Sequence, residues 1–257
     1  MSIDWAIIPM AGIGSRMRPL TRAVPKELLP MVDKPLIDWI IDEINLANIA
    51  NIVLVTHPSK VAIKEYFSDL EQVRTSAKIH IVEQMEPLGL GHAVGCAQSV
   101  IGLEDFAVIL PDVLLTDVQS HLVSPILKNM VDIFTQTQQS QILVENVEVS
   151  EIEKYGIAET TSSNLQISRM LEKPGMHETD STLAIVGRYL FSRSIWKEIE
   201  QLKSGKGGEL QLTDAIQNLL VKEIVCCYVM GVGDESYDCG NKLGYVRAFL
   251  QLAQGYK

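Results

Sequence analysis

Short apolar runs alternate with amphipathic stretches along most of the chain. Ala6–Ile8, Ile52–Val55, Lys78–Val82, Phe106–Leu110 and Ile142–Val144 read as strands. The almost wholly apolar Phe106–Leu110 has the pattern of a central parallel strand covered on both faces. Between these runs, Lys60–Leu70, Gly91–Val100 and Ser124–Thr137 show helical spacing, and another helix opens at Pro35-Leu36-Ile37. This βαβ rhythm predicts a doubly wound α/β fold, with a mostly parallel central sheet and helices on both faces. From Tyr155 the pattern changes. Strands Gly156–Glu159, Leu165–Leu171 and Leu183–Leu190 follow one another, then helices Ser194–Lys203 and Gln211–Lys222, a strand Ile224–Val229 and a last helix from about Lys242 to Gln254. No repeat or low-complexity linker divides the chain, so 1–257 is expected to be one domain whose halves meet near residue 150.

The segment Pro9–Pro35, PMAGIGSRMRPLTRAVPKELLPMVDKP, breaks the rhythm. It holds five of the ten prolines and reads as a loop. Arg16, Arg18, Arg22, Lys26 and Lys34 stand against only Glu27 and Asp33, a local balance of +3 in a chain of net charge −10. Keeping so long a loop ordered is costly. Backbone N–H groups near Gly12 and Gly14, with Arg and Lys around them, suit a polyanion such as a phosphate chain. Two common phosphate loops do not match. Met17 stands where the dinucleotide fingerprint needs its third glycine, and no Gly-Lys-Ser/Thr ending follows.

Composition narrows the setting. At 47% hydrophobic and 21% charged, the chain has the make-up of a globular enzyme. The net charge argues against general binding of nucleic acid or anionic membrane. No apolar run reaches a membrane span, and Met-Ser-Ile-Asp-Trp shows neither the basic nor the long apolar region of a secretion signal, so secretion is not expected. Cys96, Cys226, Cys227 and Cys239 form no CxxC pair, so free thiols in a reducing cytoplasm are expected.

Several residues carry candidate chemistry. Asp112 follows the apolar run and Pro111, where ligands bind beyond the carboxyl ends of parallel strands. A carboxylate there suits magnesium on a nucleotide phosphate, and equally a helix cap. Asp238, in Tyr237-Asp238-Cys239-Gly240-Asn241, offers a second oxygen ligand or a cap for the last helix. Gln84 ends a strand, and its amide can both donate to and accept from a pyrimidine edge. Gly89 and Gly91 would let a base lie against bare backbone. His92 is a tempting base, but a sugar phosphate is already largely ionised near neutrality, so a positioning role fits better. In Glu172-Lys173-Pro174 the carboxylate suits sugar hydroxyls and the lysine a phosphate, although the triplet is also an ordinary turn. Gly156, like Gly187, would allow a sugar to approach the backbone. Thr213 and Asp214 read as helix decoration.

Nine collinear segments, PMAGIGSRMRPLTRAVPKELLP, LVTHPSK, GLGHAV, LPDV, YGIAE, EKP, LAIVGRY, GELQLTDAI and DCGNKLGY, resemble the bacterial UTP–glucose-1-phosphate uridylyltransferases among the sugar-phosphate nucleotidyltransferases. The resemblance runs from residue 6 to about 250. It implies a nucleotide-diphospho-sugar transferase fold. It also implies Mg²⁺-assisted, in-line attack of glucose 1-phosphate on the α-phosphorus of UTP, giving UDP-glucose and pyrophosphate. By resemblance, Ala11, Gly12, Gln84 and Gly89 hold uracil, Arg16 and Lys26 hold the triphosphate, and Asp112 and Asp238 bind Mg²⁺. Gly156, Glu172 and Lys173 hold glucose 1-phosphate, and Arg16, Lys26 and Lys173 carry the charge-stabilising work. About 1–150 is then the nucleotide half and about 151–257 the sugar-phosphate half, and self-association into a homo-oligomer is expected. Two departures stand out: Ser15 replaces the usual Thr, and the connector Phe67–Ile79 is short, which bears on assembly. Transfer from dTTP, and a non-catalytic regulator that binds a sugar nucleotide, are the alternatives.

Overall fold

The structure is a computed structural model that describes residues 2–68, 75–161, 165–205 and 208–256. Strand β1 (Trp5–Pro9) sends Ala6 and Ile8 into one apolar layer and Ile7 into another, all three fully buried. That alternation is the strand period acting on a sheet covered on both sides. The proline-rich segment after it contains no α-helix. It makes short 3₁₀ turns at Ser15–Met17, Leu20–Arg22 and Lys26–Leu28 and a small ribbon of β2 (Pro30–Met31) and β3 (Lys34–Pro35). Pro35 then leads into α1 (Leu36–Leu46), which buries Ile37, Ile40, Ile41 and Ile44 as one stripe.

The rhythm continues through β4 (Asn51–Thr56), α2 (Val61–Ser68), β5 (Lys78–Glu83), α3 (Leu90–Cys96), α4 (Gln98–Ile101), β6 (Phe106–Ile109), β7 (Val113–Asp117) and α5 (Ile126–Thr137). The single helix expected over Gly91–Val100 is two. At their junction the Ala97 and Val100 amides bond three residues back rather than four, which tightens the chain and ends α3. The last two positions of the expected helix Lys60–Leu70, and much of the short connector, lie outside the described residues. Then come β8 (Ser140–Asn146), β9 (Gly156–Thr160), β10 (Ile167–Glu172), β11 (Leu183–Phe191), α6 (Ile195–Glu200), α7 (Leu212–Leu219), β12 (Val225–Val229), β13 (Asp234–Asp238) and α8 (Lys242–Ala253).

Strands β6, β1, β4 and β5 lie side by side in parallel. The long β11 runs antiparallel to β6 and joins this block to the rest. One edge of β11 takes β6 and β9, and the other takes β8, to which β12 adds in parallel. The sheet is thus parallel in its first half and mixed in its second. Helices α1, α2 and α5 cover one face, and α3, α6 and α7 cover the other. Each fully buried Ile, Leu or Phe in these layers contributes about 1.5–3 kcal/mol. A separate two-stranded ribbon of β7 and β13 was not visible in the sequence pattern; it pairs Val113 with Asp238.

Candidate functional site

The carboxyl ends of β1, β4, β5 and β6 face one way. The Met10 amide donates to Val55 O (2.7 Å) and the Gln84 amide to Thr56 O (2.8 Å), so Ala11 and Gln84 emerge on either side of β4. Ala11 is buried and Gly12 is exposed, with open space where a Cβ would stand. Thr21 Oγ1 donates to Gly14 O (2.8 Å), and fully buried Met17 anchors the loop. The loop so folded carries two of its cations, Arg16 and Lys26, to the end of β6, while Lys34 pairs with Asp42 instead. Lys26 Nζ donates to Asp112 Oδ2 at 2.5 Å. Arg16 stands 3.9 Å from Asp112 and 3.5 Å from Asp238.

The ribbon brings the two carboxylates together. The Cys239 amide donates to Asp112 O (2.7 Å), and the Gly240 amide donates to Asp238 Oδ1 (2.8 Å). A Cβ added at Gly240 would lie 2.7 Å from Asp112 Oδ2 and 2.8 Å from Asp238 Oδ1, so any side chain there would push the two carboxylates out of place. Neither aspartate is a helix cap. The cap of α8 is Asn241, whose Oδ1 accepts from the Gly244 amide at 2.9 Å. Two hard oxygens converging on one point, with cations already drawn to them, fit a magnesium ion. Among the described residues no third His, Cys, Asp or Glu joins the pair. The remaining ligands would be phosphate oxygens and water, as is usual for this ion.

Electrostatics mark the same spot. Burial works against the Asp112 carboxylate, but Lys26 and then Arg16 outweigh it and hold its pKa below the usual carboxylate value. Burial also works against the Lys26 ammonium, and Asp112 with Glu27 holds its pKa above the usual lysine value. Beneath Lys26, fully buried Glu27 accepts two bonds from Lys60 Nζ, at 3.0 and 2.9 Å. Burial pulls the Lys60 pKa down even so. Sequence reasoning missed this pair. Nothing local links two residues 33 apart, although an acid between the cations of a basic loop was a signal that it is met elsewhere.

The same cavity holds a second group. Gly156, Glu172 and Lys173 share with Arg16, Asp112 and Asp238 one cavity of about 1200 Å³. Thr213, read from sequence as decoration, belongs here: its Oγ1 donates to Glu172 Oε2 at 3.0 Å. Lys173 adopts a positive φ of 48°, uncommon for a residue with a side chain, and its amide donates to Tyr155 O (3.0 Å). Its side chain is 55% exposed.

Gln84 is buried, and its Nε2 donates to Gly89 O (3.2 Å) and lies 2.9 Å from His92 Nδ1. His92 is thus engaged in positioning contacts. The bare α-carbons of Gly89 and Gly91 serve a protein contact. A Cβ on either would meet Leu210 O at 2.8 Å. The Leu210 amide donates to Leu88 O (2.7 Å), and the Gly91 amide donates to Leu210 O (2.8 Å). The strap around Leu210 therefore runs from the Leu88–Gly91 turn to Thr213, beside Glu172.

Comparison with known proteins agrees with this arrangement. The nucleotidyl transferase family model matches residues 5–255. A UTP–glucose-1-phosphate uridylyltransferase of Haemophilus ducreyi is 42% identical over 273 aligned positions, covering 96% of this chain and 92% of that one. A solved UDP-glucose pyrophosphorylase complexed with UDP-glucose superposes with a TM-score of 0.89 at 32% identity, over 98% of this chain and 99% of that one. A UTP-bound UGPase from Acinetobacter baumannii gives 0.84 at 36% identity, over 96% and 92%. With its parallel-sheet edge, its basic loop and its paired aspartates, the chain belongs to the nucleotidyl transferase family, in the branch of the UTP–glucose-1-phosphate uridylyltransferases.

Proposed function

We propose that the chain makes UDP-glucose and pyrophosphate from UTP and glucose 1-phosphate. The observation that carries this reading is the convergence of Asp112, Asp238 and Arg16, with Lys26 held on Asp112, at a cavity that Glu172, Lys173 and Thr213 also line. Asp112 and Asp238 would hold Mg²⁺, which when bound neutralises phosphate charge and helps orient the triphosphate. Arg16 and Lys26 bind the triphosphate and offset the charge that gathers as pyrophosphate departs. Lys173 draws in the sugar phosphate, and Glu172 accepts from sugar hydroxyls while Thr213 holds it in place. The sugar phosphate is already ionised near neutral pH, so no side chain need remove its proton. The work of the protein is to bring two anions that repel each other into line.

On this reading Ala11, Gly12, Gly14, Gln84 and Gly89 serve the nucleotide, so residues up to about 150 handle UTP and the rest handle the sugar. Self-association and a cytoplasmic setting belong to the same proposal. No helix among the described residues is long and apolar enough to cross a membrane, and four free cysteines suit a reducing compartment. Light scattering tests the assembly.

Pyrophosphate release should be measured with UTP, dTTP, ATP, CTP and GTP crossed with several sugar 1-phosphates. UTP with glucose 1-phosphate is expected to be the fastest pair, and to need Mg²⁺. Brisk turnover of dTTP with none of UTP would overturn the uridylyl reading. No turnover of any nucleotide would leave a sugar-nucleotide-binding regulator.

A further inference from the structure

Arg188, on β11, is fully buried. Its guanidinium pairs at two points with buried Glu43 of α1: Nε donates to Oε1 at 2.8 Å and Nη2 to Oε2 at 2.7 Å. The other donors go to backbone. Nη1 donates to Leu110 O and to Gly187 O, both at 3.2 Å, and Nη2 donates to Val113 O at 2.8 Å. Leu110 and Val113 bracket the turn Pro111-Asp112. The Leu110 amide returns a bond to Gly187 O at 3.0 Å, and the Asp112 carbonyl is taken by Cys239 on the far side. Arg188 is not among the residues that line the cavity.

A buried ion pair is an expensive way to tie a helix to a sheet. Apolar residues of similar volume are often as stabilising or more so. What they cannot do is hold two carbonyl oxygens of a turn in place, whereas the planar guanidinium, with its fixed fork of donors, can. We propose that Arg188, oriented by Glu43, is a positioning residue for the site. It clamps the carbonyls on either side of Pro111-Asp112 and so sets where the Asp112 carboxylate meets a metal ion. The proposal rests on the reading of Asp112 as a ligand.

The double variant Glu43→Met/Arg188→Met separates positioning from stability, because it removes the clamp together with the buried charges. Binding of Mn²⁺ in the presence of UTP, followed by electron paramagnetic resonance, and hydrogen exchange of the amides from Leu110 to Leu114 are compared with wild type. The variant is expected to keep a cooperative thermal transition, lose roughly tenfold in Mn²⁺ affinity, and exchange the turn amides faster; outer partners of metal ligands are commonly worth 10- to 100-fold. Native metal affinity with native amide protection would overturn the clamp. Should the double variant fail to fold, Arg188→Lys keeps the charge against Glu43 while losing the fork, and native values there overturn the proposal equally. Wild-type protein that binds no Mn²⁺ would sink the ligand reading instead, and amide protection alone would then decide the clamp.

Discussion

The two walls of the cavity are wired differently. On the Lys26 side, charge is answered by charge before any substrate arrives. Lys26 is 15% exposed and held at 2.5 Å by Asp112, with the Glu27–Lys60 pair packed beneath. On the Lys173 side, the lysine is 55% exposed and lies 3.5 Å from its neighbour Glu172. A preorganised site spends little reorganisation at the moment of reaction, so its groups act mainly on the transition state. A lysine more than half exposed gives up hydration and rotamer freedom when an anion arrives and acts mainly on binding. The contrast teaches which kinetic constant each wall should govern.

The largest effects break the first wall outright. Chelation of divalent metal by EDTA should abolish pyrophosphate release, with recovery on adding Mg²⁺; full activity in EDTA would show that the carboxylates hold no metal. Asp112→Asn and Asp238→Asn should each lower kcat by roughly 10²- to 10³-fold, the cost typical of losing one preorganised electrostatic contact. Their thermal transitions should stay cooperative, and excess Mg²⁺ should restore activity only in part. Wild-type rates at low Mg²⁺ would return that aspartate to a structural role.

A smaller pair of effects sharpens the contrast. Removing a charge-assisted contact costs about 1.5–3 kcal/mol, roughly ten- to a hundredfold. Lys26→Ala should take this mostly from kcat and from use of UTP, whereas Lys173→Ala should raise the apparent KM for glucose 1-phosphate. Both constants for both substrates must be measured in each variant. If Lys173→Ala weakens the two substrates equally, the walls do not divide the work.

Much of the first wall was legible in the sequence because it lies in contiguous, unusual stretches. Proline, glycine and cations in one loop, and an aspartate after an apolar strand, each carry a local physical signal. The α/β class was legible for the same reason, since strand and helix periods repeat along the chain. The ribbon of β7 and β13 was not, because its residues pair across more than a hundred positions, both strands are short and β13 is polar. Gly240 likewise reads as one glycine among 17 until the fold sets two carboxylates against its α-carbon. Gly89 was legible as a place of close approach, but its neighbour Leu210, brought back from beyond α6, is announced by no local pattern. The Glu27–Lys60 and Glu43–Arg188 pairs are met only in three dimensions.

The smallest expected effect tests whether the walls are independent at all. The strap around Leu210 is bonded to the Leu88–Gly91 turn at one end and reaches Glu172 through Thr213 at the other. Thr213→Val keeps the shape of the side chain and removes the Oγ1–H donor to Glu172 Oε2. A hydroxyl bonded to a carboxylate is a charge-assisted contact at the weak end of the range for such contacts, worth about 1.5 kcal/mol, or roughly tenfold. If Thr213 acts only by orienting Glu172, the apparent KM for glucose 1-phosphate should rise by about that factor, while kcat and the KM for UTP stay within twofold. The strap could instead behave as a rigid lever. Loosening its Thr213 end would then disturb the Leu88–Gly91 turn, and the KM for UTP should rise in step. A matched rise in both constants would defeat the picture of one preorganised wall and one adjustable wall, and put a single coupled unit in its place. A rise confined to glucose 1-phosphate keeps the walls separate and makes Thr213, invisible as chemistry in the sequence, the residue that tunes the second of them.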